Sequence, residues 1–538
     1  MVAITHGVYV DLNRDGDYSD TGEDITAYVK SVSIKRGLTK PFDTIARDTT
    51  IDVVLNNASK RFGPDATGGL SGLKPGALVK VDMTYSTTAT LGIGRIARDG
   101  IQVQQGTSLT REASLKTFGY LRMLQEERTV VLPLMTNTTA DLVITAIIDA
   151  IGLYPFSISG WMLGTVDYGE LGVTTILSAG AGSYTSLSTG SDILPYVGDA
   201  WGGATSAYTM IRDLVEADRG ILFEARDGTL TFISRTALLE DVSTAVDATL
   251  TGSNLVARKK QEYRYGQDVV NDVTVTGYPR VVGAARSVVA RSYVAAGTGR
   301  IVPAGQTVTW TLDYKTADGI PQGAYSVLCD PTTDYTLAYW DSVTQSIVAG
   351  APSISLTISE GAGVVELRWD NADSRNAIVM AGATDANNIT VRGYAIQALD
   401  GVTANAYDLT SIAEVLRQPL RLDLKLLADA TAPQDLANYE LYNRSDLRGA
   451  FTSITIFANA SATHAAWARD LTIGSRIALS ETQTGTNREY FIVGEEHNII
   501  NALQEHYVTY TLRPAQMDYW VLGVAGHGEL DSTTRLAY

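Results

Sequence analysis

The stretch from residue 204 to 235 combines two hydrophobic periods and shows how the chain is built. A helical period is set by the apolar residues Tyr208, Ile211, Leu214 and Val215. Thr205 or Ser206 can cap the start of this helix, and Gly220 is expected to end it. Two strand-like runs follow, joined by Asp227-Gly228, a pair that favours a tight hairpin because its turn needs positive φ. The stretch therefore predicts a helix packed beside a hairpin.

Short alternating runs, the pattern of half-buried strands, fill most of the remaining chain. They recur through the first 130 residues, across 287–400, and again from 451 to 512. A second helix is predicted from Thr138 or Thr139 to residue 151. Its expected inward-facing residues are Leu142, Ala146, Ile147 and Ile151. Further helical segments are expected within 407–442.

These patterns predict a mainly β, multi-domain chain with a minor α/β part. Residues 1–130 are expected to form a small closed barrel or sandwich, and 131–225 an α/β connecting domain. Residues 287–419 are expected to form an inserted β-sandwich-like domain. A C-terminal tail covers 516–538.

Length and charge narrow the function. With 538 residues the chain is too long for one hydrophobic core. A net charge of −17 speaks against wrapping nucleic acid, whose phosphates are bound by Lys and Arg. An acidic surface could line a passage through which DNA slides without sticking, although solubility alone also explains the charge.

The cysteine content and the distribution of apolar residues argue against a disulfide-stabilised protein and against a secreted or membrane-spanning one. The single cysteine, Cys329, rules out an intrachain disulfide framework. The first twenty residues lack the basic and apolar regions of a secretory signal, and no run approaches the ~18 apolar residues of a membrane span.

One acidic loop has the spacing of a metal site. Its candidate calcium ligands are Asp11, Asn13, Asp15, Asp17 and Asp20. Residues with oxygen ligands stand at alternate positions, and the sixth position of the loop is a glycine, Gly16. This spacing matches the first half of a calcium-binding loop. The twelfth position is Gly22 instead of a bidentate Glu, so an acidic turn between strands is the alternative.

Catalytic motifs are absent from the sequence. It contains no G-x-S-x-G, no H-E-x-x-H and no P-loop, so we expect no enzyme activity and no cofactor. The G-x-G-x-x-A string at 92–97 lacks a following helix and is expected to be a strand. His497 and His506 lie beside glutamates but in different predicted strands, and we expect them to be solvated residues flanking a hairpin.

Nine segments spread over nearly the whole chain share a running pattern with one known class of proteins. The segments are ITAYVKSVSIKRGL (25–38), ARDTTIDVVLNNASKRFGPD (46–65), KPGALVKVDM (74–83), LGIGRIARDG (91–100), LFEARDGTLTFISR (222–235), NDVTVTGYPR (271–280), LTIGSRIALS (471–480), YFIVGEEH (490–497) and MDYWVLGVAGHGELDSTTRLAY (517–538). In this order they resemble phage minor tail proteins and tail-hub proteins. The acidic loop at 11–20 is not part of the resemblance.

The resemblance implies a structural virion protein of the distal tail, assembled in the host cytoplasm. Related hubs form trimers whose two tube-like β-barrels per chain surround a channel; here the barrels would be 1–130, and 226–286 with 420–515. A trimer is favoured over a hexamer. The implied partners are the tail tube or distal tail protein, the tape-measure protein, tail fibre or receptor-binding proteins, and DNA that passes without specific binding.

Two other functions stay open. The first is a receptor- or carbohydrate-binding tail adhesin, with the predicted insert as its binding module. The second is a hub fused to a cell-wall hydrolase, which needs a carboxylate pair or a metal triad that the sequence does not show.

Overall fold

The computed structural model describes residues 2–104, 106, 111–126, 131–151, 185–202, 205–241, 245–256, 262–266, 268–295, 297–429, 431–447, 449–515, 519–520 and 535–536. Strands dominate this part of the chain, as the sequence predicts.

The strands, in chain order, are β1 Thr5–Asp11, β2 Val29–Gly37, β3 Arg47–Asn56, β4 Leu78–Tyr85, β5 Thr87–Val103, β6 Glu112–Phe118, β7 Met135–Thr138, β8 Thr185–Leu187, β9 Leu194–Val197, β10 Ile221–Glu224, β11 Leu230–Ile233, β12 Ala248–Thr251, β13 Glu262–Tyr265, β14 Asp272–Gly277, β15 Arg280–Tyr293, β16 Gly299–Val302, β17 Thr307–Asp313, β18 Gly323–Leu328, β19 Tyr335–Asp341, β20 Ser346–Val348, β21 Ile354–Glu360, β22 Val364–Asn371, β23 Ala377–Ala381, β24 Asn388–Ala398, β25 Val402–Tyr407, β26 Pro419–Leu424, β27 Gly449–Phe457, β28 Arg476–Glu481, β29 Thr486–Ile500, β30 Glu505–Pro514, β31 Tyr519–Trp520 and β32 Arg535–Leu536. The helices are α1 Tyr120–Glu126, α2 Ala140–Ile151, α3 Ala207–Asp218, α4 Arg235–Asp241, α5 Leu409–Val415, α6 Ala432–Arg444 and α7 Ala462–Asp470.

One large sheet unites the two ends of the chain. Twelve strands belong to it, in the order β1-β4-β5-β6-β3-β2-β29-β30-β27-β13, with β28 paired to β29 and β12 to β28. The halves meet where β2 pairs antiparallel with β29, from Val32 opposite Ile499 to Gly37 opposite Gly494. Gly37 is required here, because its φ is +83° and a Cβ would lie 2.5 Å from the Gly494 Cα.

The two separate closed barrels expected from the sequence are not confirmed. Within the described residues no sheet closes on itself. The six strands of 1–130 and six strands of the second predicted barrel instead form one open sheet, whereas β11, β14, β15 and β26 lie in smaller sheets. A common hydrophobic core packs Val8, Ile51 and Leu115 together with Ile477 and Val508. The sequence pattern predicted individual strands from neighbouring residues. It could not predict the β2–β29 pairing, because that pairing joins residues far apart in the sequence.

A second core lies between the helices and smaller sheets. It contains buried residues of α1, α2, α3, α6 and the hairpin formed by β10 and β11. The three-stranded sheet β25-β14-β26 packs against α6.

The chain between β14 and β25 has its own core. Three sheets, β15-β24-β18, β16-β23-β19-β20 and β17-β22-β21, surround buried residues that include Trp310 and Trp369. Arg280 of β15 is the register partner of Ala398 of β24, so the two ends of this segment lie side by side. The domain boundaries inferred from the sequence stay predictions.

The 204–235 stretch folds largely as predicted. α3 begins after Ser206, whose side chain accepts from the Thr209 N–H, and the hairpin turns at Gly228 with φ +84°. The helix end differs from the prediction: the left-handed residue is Arg219, with φ +61°, and not Gly220. The Arg219 backbone N–H donates to the Val215 carbonyl oxygen, and its guanidinium lies 2.6 Å from the buried Glu440 carboxylate.

The predicted buried face of α2 was wrong in part. Ile147 is buried as expected, whereas Leu142 is 56% exposed and Ala146 and Ile151 are half-buried. The buried stripe consists of Ala140, Val143, Ile144, Ile147 and Ile148. Consecutive apolar positions allow two stripes, and packing against α3 selects this one.

Candidate functional site

The predicted calcium ligands lie in the loop after β1. Asp11 is buried, and its carboxylate accepts hydrogen bonds from the N–H groups of Arg14, at 2.6 Å, and Gly16, at 3.2 Å. The Asn13 side-chain amide donates to Asp15, at 2.8 Å, and to Asp20, at 2.6 Å. Backbone N–H groups and the Asn13 amide thus donate hydrogen bonds to the carboxylates of this loop.

The other contacts in this loop are also turn contacts. Asp17 accepts from the Ser19 N–H and hydroxyl, at 2.9 and 3.1 Å. Burial raises the pKa of Asp11. In the described part of the chain no group of three or more His, Cys, Asp or Glu side chains is arranged to hold a metal ion. The calcium site therefore stays a prediction.

The histidines that we expected to be solvated are buried, so that expectation was wrong. His497 of β29 and His506 of β30 are both 0% exposed, and His6 of β1 is 3% exposed. His497 and His506 do lie in different strands, but those strands are neighbours and the two residues point into the interior together. Because they are closed off from solvent, no substrate reaches these rings in this fold.

The three rings form a continuous chain of contacts that ends at Glu495. His497 Nε2 lies 3.1 Å from Glu495 Oε1, and His497 Nδ1 lies 2.9 Å from His506 Nε2. His506 Nδ1 lies 3.2 Å from His6 Nε2, and His6 Nδ1 lies 3.1 Å from the carbonyl oxygen of Leu503. The chain crosses from β29 through β30 to β1.

Two arginines hold Glu495 at the other end, and their side chains are 0% exposed for Arg36 and 11% exposed for Arg226. Arg36 Nε lies 2.5 Å from Glu495 Oε1, and Arg226 Nη2 lies 3.1 Å from Oε2. Arg36 also donates to the Thr472 hydroxyl at 2.7 Å, and Arg226 donates to the Leu471 carbonyl at 2.7 Å. A buried carboxylate is tolerated here because two cations compensate it.

Burial and neighbouring charges shift the pKa values of these groups. The pKa of Glu495 lies well below its usual range because Arg226, Arg36 and His497 stabilise the carboxylate against the cost of burial. Burial lowers the pKa of His497 and of His506, and it lowers the pKa of His6 to about 4. All three rings are therefore neutral at pH 7.

This buried network ties together the parts of the fold that meet at the β2–β29 junction. Arg36 comes from β2, Arg226 from the β10–β11 turn, Glu495 and His497 from β29, His506 from β30 and His6 from β1. His6 and His506 are 500 residues apart, so spacing could not reveal the contact. The sequence did offer one signal: side chains alternate between the two faces of a strand, so Glu495 and His497 were expected on the same face.

The dinucleotide-like string lies inside a strand, as predicted. Residues 92–97 belong to β5, and a Cβ on Gly94 would lie 2.3 Å from the Thr117 hydroxyl oxygen. The glycine permits close packing of β5 and β6 and has no phosphate-binding helix beside it.

A second buried carboxylate, Glu224, joins β10 to α1. It accepts from the Leu121 N–H at 2.7 Å. Burial and the nearby Asp48 raise the pKa of Glu224 to about 7. Gly119 leaves the space it needs, because a Cβ there would lie 2.0 Å from Glu224 Oε2.

No protein-family model matches the chain, and no curated protein matches it either. Among solved structures, a tail protein from Neisseria meningitidis MC58 aligns at 10% identity over 95% of this chain and 96% of its own, with a TM-score of 0.45. The 43 kDa tail protein of prophage MuSo2 from Shewanella oneidensis aligns at 11% identity over 95% and 99%, with a TM-score of 0.47. The prophage tail protein gp18 from Listeria monocytogenes EGD-e aligns at 8% identity over 94% of both chains, with a TM-score of 0.39. All three are tail proteins, the class that the sequence resembles; likenesses at these TM-scores do not assign a function.

None of the described helices is long and apolar enough to cross a membrane.

Proposed function

We propose that the protein is a structural component of a bacteriophage tail tip, a hub-like ring subunit that joins the tail tube to distal receptor-binding or fibre proteins. The observation that carries the proposal is the twelve-stranded sheet built from both ends of the chain and fixed by a largely buried ionic network. Buried, paired charges suit a rigid scaffold, because they specify one arrangement of the strands and expose no reactive group.

The free edge of the large sheet supports contact between copies. β13 pairs only with β27 among the described strands, and all four of its residues are exposed. Tyr263 is 37% exposed and Tyr265 is 66% exposed. An exposed edge strand with large aromatic residues favours association with another chain.

The ring would consist of copies of this chain, with a trimer favoured and a hexamer as the other closed arrangement. Its partners would be the tail tube or distal tail protein, the tape-measure protein and the tail fibres. The net charge of −17 would keep passing DNA from adhering to the channel wall. The site of action is the distal tail of the virion, after assembly in the host cytoplasm, and no enzyme activity is proposed.

Native mass spectrometry of the purified full chain tests the ring. We expect a closed oligomer of three copies, or six, which dissociates more readily when Tyr265 is replaced by Asp. Tyr293→Asp is the matched control, because Tyr293 is 70% exposed but lies in the separate sheet of β15. A monomer at micromolar concentration for the unaltered chain contradicts the proposal.

The calcium site in the 11–20 loop is a separate proposal. Calcium would have to replace the Asn13 amide between Asp15 and Asp20, so binding should require the loop to rearrange. Isothermal titration with CaCl2 should then show a site that disappears in Asp15→Asn. No heat above the background of that variant would rule the site out.

Receptor binding by the segment between β14 and β25 is the second candidate function. The Arg286 guanidinium lies 5.1 Å from the Tyr394 ring, and Tyr325 stacks on Tyr394 with 5.3 Å between ring centroids. Arg286 is exposed, and an arginine–aromatic stack at a surface is suited to glycan or protein contact. Glycan-array binding by the full chain that is lost in Arg286→Ala would favour this function.

A further inference from the structure

The histidine chain has a fixed number of places for protons. Its four contacts run from Glu495 through His497, His506 and His6 to the carbonyl oxygen of Leu503. A carboxylate and a carbonyl oxygen can only accept, so each of the four contacts needs one proton supplied by a ring nitrogen. Three neutral imidazoles carry three N–H groups, and one contact is therefore left without a proton.

The charge on Glu495 excludes the first contact from being the one left out. Arg36 and Arg226 keep Glu495 ionised, so His497 must donate to it through Nε2. Hydrogen bonds that point the same way along a chain polarise and strengthen one another. This favours donation from His506 Nε2 to His497 Nδ1 and from His6 Nε2 to His506 Nδ1. In this arrangement each ring is the Nε2–H tautomer, and the lone pair of His6 Nδ1 faces the Leu503 oxygen at 3.1 Å, acceptor against acceptor.

The surrounding charges act on the three rings unequally. Glu495 from β29 raises the pKa of His497, whereas Arg226 from the β10–β11 turn and Arg36 from β2 lower it, and Arg226 also lowers the pKa of His506. The pKa of His6 is lowered by burial and by His497 and is raised by its contact with the Leu503 carbonyl. His6 is the ring farthest along the chain from the arginines, and in this arrangement its Nδ1 is the ring nitrogen that faces an acceptor with no proton between them.

We propose that the His6–His506–His497 chain is a one-proton switch that takes up its proton at Nδ1 of His6 and completes the hydrogen bond to the Leu503 carbonyl. With that proton all four contacts are satisfied. A further proton on His506 or His497 would place two N–H groups opposite each other, so the chain accepts one proton and resists a second.

The added bond clamps the first strand onto the turn between β29 and β30. Leu503 lies in that turn, where Asn501, Ala502 and Leu503 all have positive φ, between +53° and +67°. Such a run of non-glycine residues is strained and depends on outside contacts to hold it. The proton therefore controls how firmly β1 fixes this turn.

Imidazole nitrogen spectroscopy tests the switch in the full chain. The probe is 15N-histidine protein in which His464→Asn and His527→Asn leave only the three rings of the chain. At pH 7 we expect three neutral Nε2–H tautomers in long-range 1H–15N correlation spectra. On titration towards pH 4 the Nδ1 signal of His6 should move before either other ring changes. An Nδ1–H tautomer on any ring at pH 7, or first protonation at His497 or His506, overturns the proposal.

Discussion

Glu495 shows how a single residue can fix the relation between distant strands. It is 0% exposed and accepts from Arg36, Arg226 and His497, which come from β2, the β10–β11 turn and β29 itself. Removing the carboxylate takes the main counter-charge away from the buried Arg36 and the largely buried Arg226. The cost of such unpaired burial exceeds the net value of the ion pair itself.

We expect Glu495→Gln to lower the free energy of unfolding by about 3–5 kcal/mol, because both arginines lose their buried counter-charge. Glu496→Gln should change it by less than about 1 kcal/mol, since Glu496 forms a partly exposed pair with Lys35 at 3.7 Å. Urea denaturation followed by tryptophan fluorescence measures both values. Equal effects in the two variants would show that the buried network does not hold the junction.

The buried histidines predict acid sensitivity. Their pKa values are lowered in the folded protein, with His6 at about 4, while the unfolded chain binds these protons near pH 6.5. The unfolded state therefore holds more protons as the pH falls from 6.5, and stability decreases. Glu224, whose pKa is raised to about 7, acts in the opposite direction, as do Asp11, Asp199 and Asp218, whose pKa values are raised by burial.

The three rings are expected to contribute a loss of about 1–3 kcal/mol per pH unit between pH 6 and 4.5, from about 1.4 kcal/mol for each net proton. Urea denaturation at several pH values measures the slope. Stability that rises steeply as the pH falls through this interval would contradict the buried, neutral state of the three rings.

At the scale of secondary-structure elements, the hydrophobic periods and the Asp-Gly turn predicted the helix and hairpin of residues 204–235. Packing with other elements determined the details for which the sequence allowed more than one answer. The sequence allowed Thr205 or Ser206 as the cap, and the Ser206 hydroxyl accepts from the Thr209 N–H at 3.2 Å. It allowed two apolar faces on α2, and contact with α3 buries the stripe that contains Val143. Arg219 takes the left-handed position expected for Gly220, and its side chain pairs with Glu440 of α6, a contact that sequence spacing does not show.

The cap assignment predicts different costs for neighbouring residues. Ser206→Ala should lower the free energy of unfolding by about 1 kcal/mol, the usual value of a lost N-cap. Thr205→Ala should cost less than about 0.5 kcal/mol, because its side chain is half-buried and is not the cap. Chemical denaturation of the two variants checks this order, and a larger loss in Thr205→Ala would show that the helix starts elsewhere.

For the whole molecule, composition and strand patterns were sufficient to predict a mainly β, multi-part chain, but not its topology. The β2–β29 junction depends on pairs such as Ile34 with His497, which lie in separate parts of the sequence. The same applies to the buried site, whose residues span from His6 to His506. The alternation of apolar and polar residues revealed each strand in the sequence. The neighbouring strand with which it pairs depends on packing between distant parts of the chain.

The segment between β14 and β25 should be removable. Arg280 and Ala398 are direct register partners, so residues 281–397 can be replaced by a two-residue Asn-Gly turn. Because the large sheet and its core lie outside the segment, we expect the shortened chain to keep its oligomeric state and cooperative unfolding. Aggregation or loss of the oligomer in the shortened chain would show that the segment is part of the scaffold.

The central claim is that this chain builds a ring at the distal end of a phage tail. An electron-microscopy map of the assembled particle tests it most directly. The account predicts density for the twelve-stranded sheet repeated around the tail axis, with β13 at the contact between copies and a channel at the centre. A particle whose tail tip lacks this chain, or holds it as a single peripheral copy, would contradict the account.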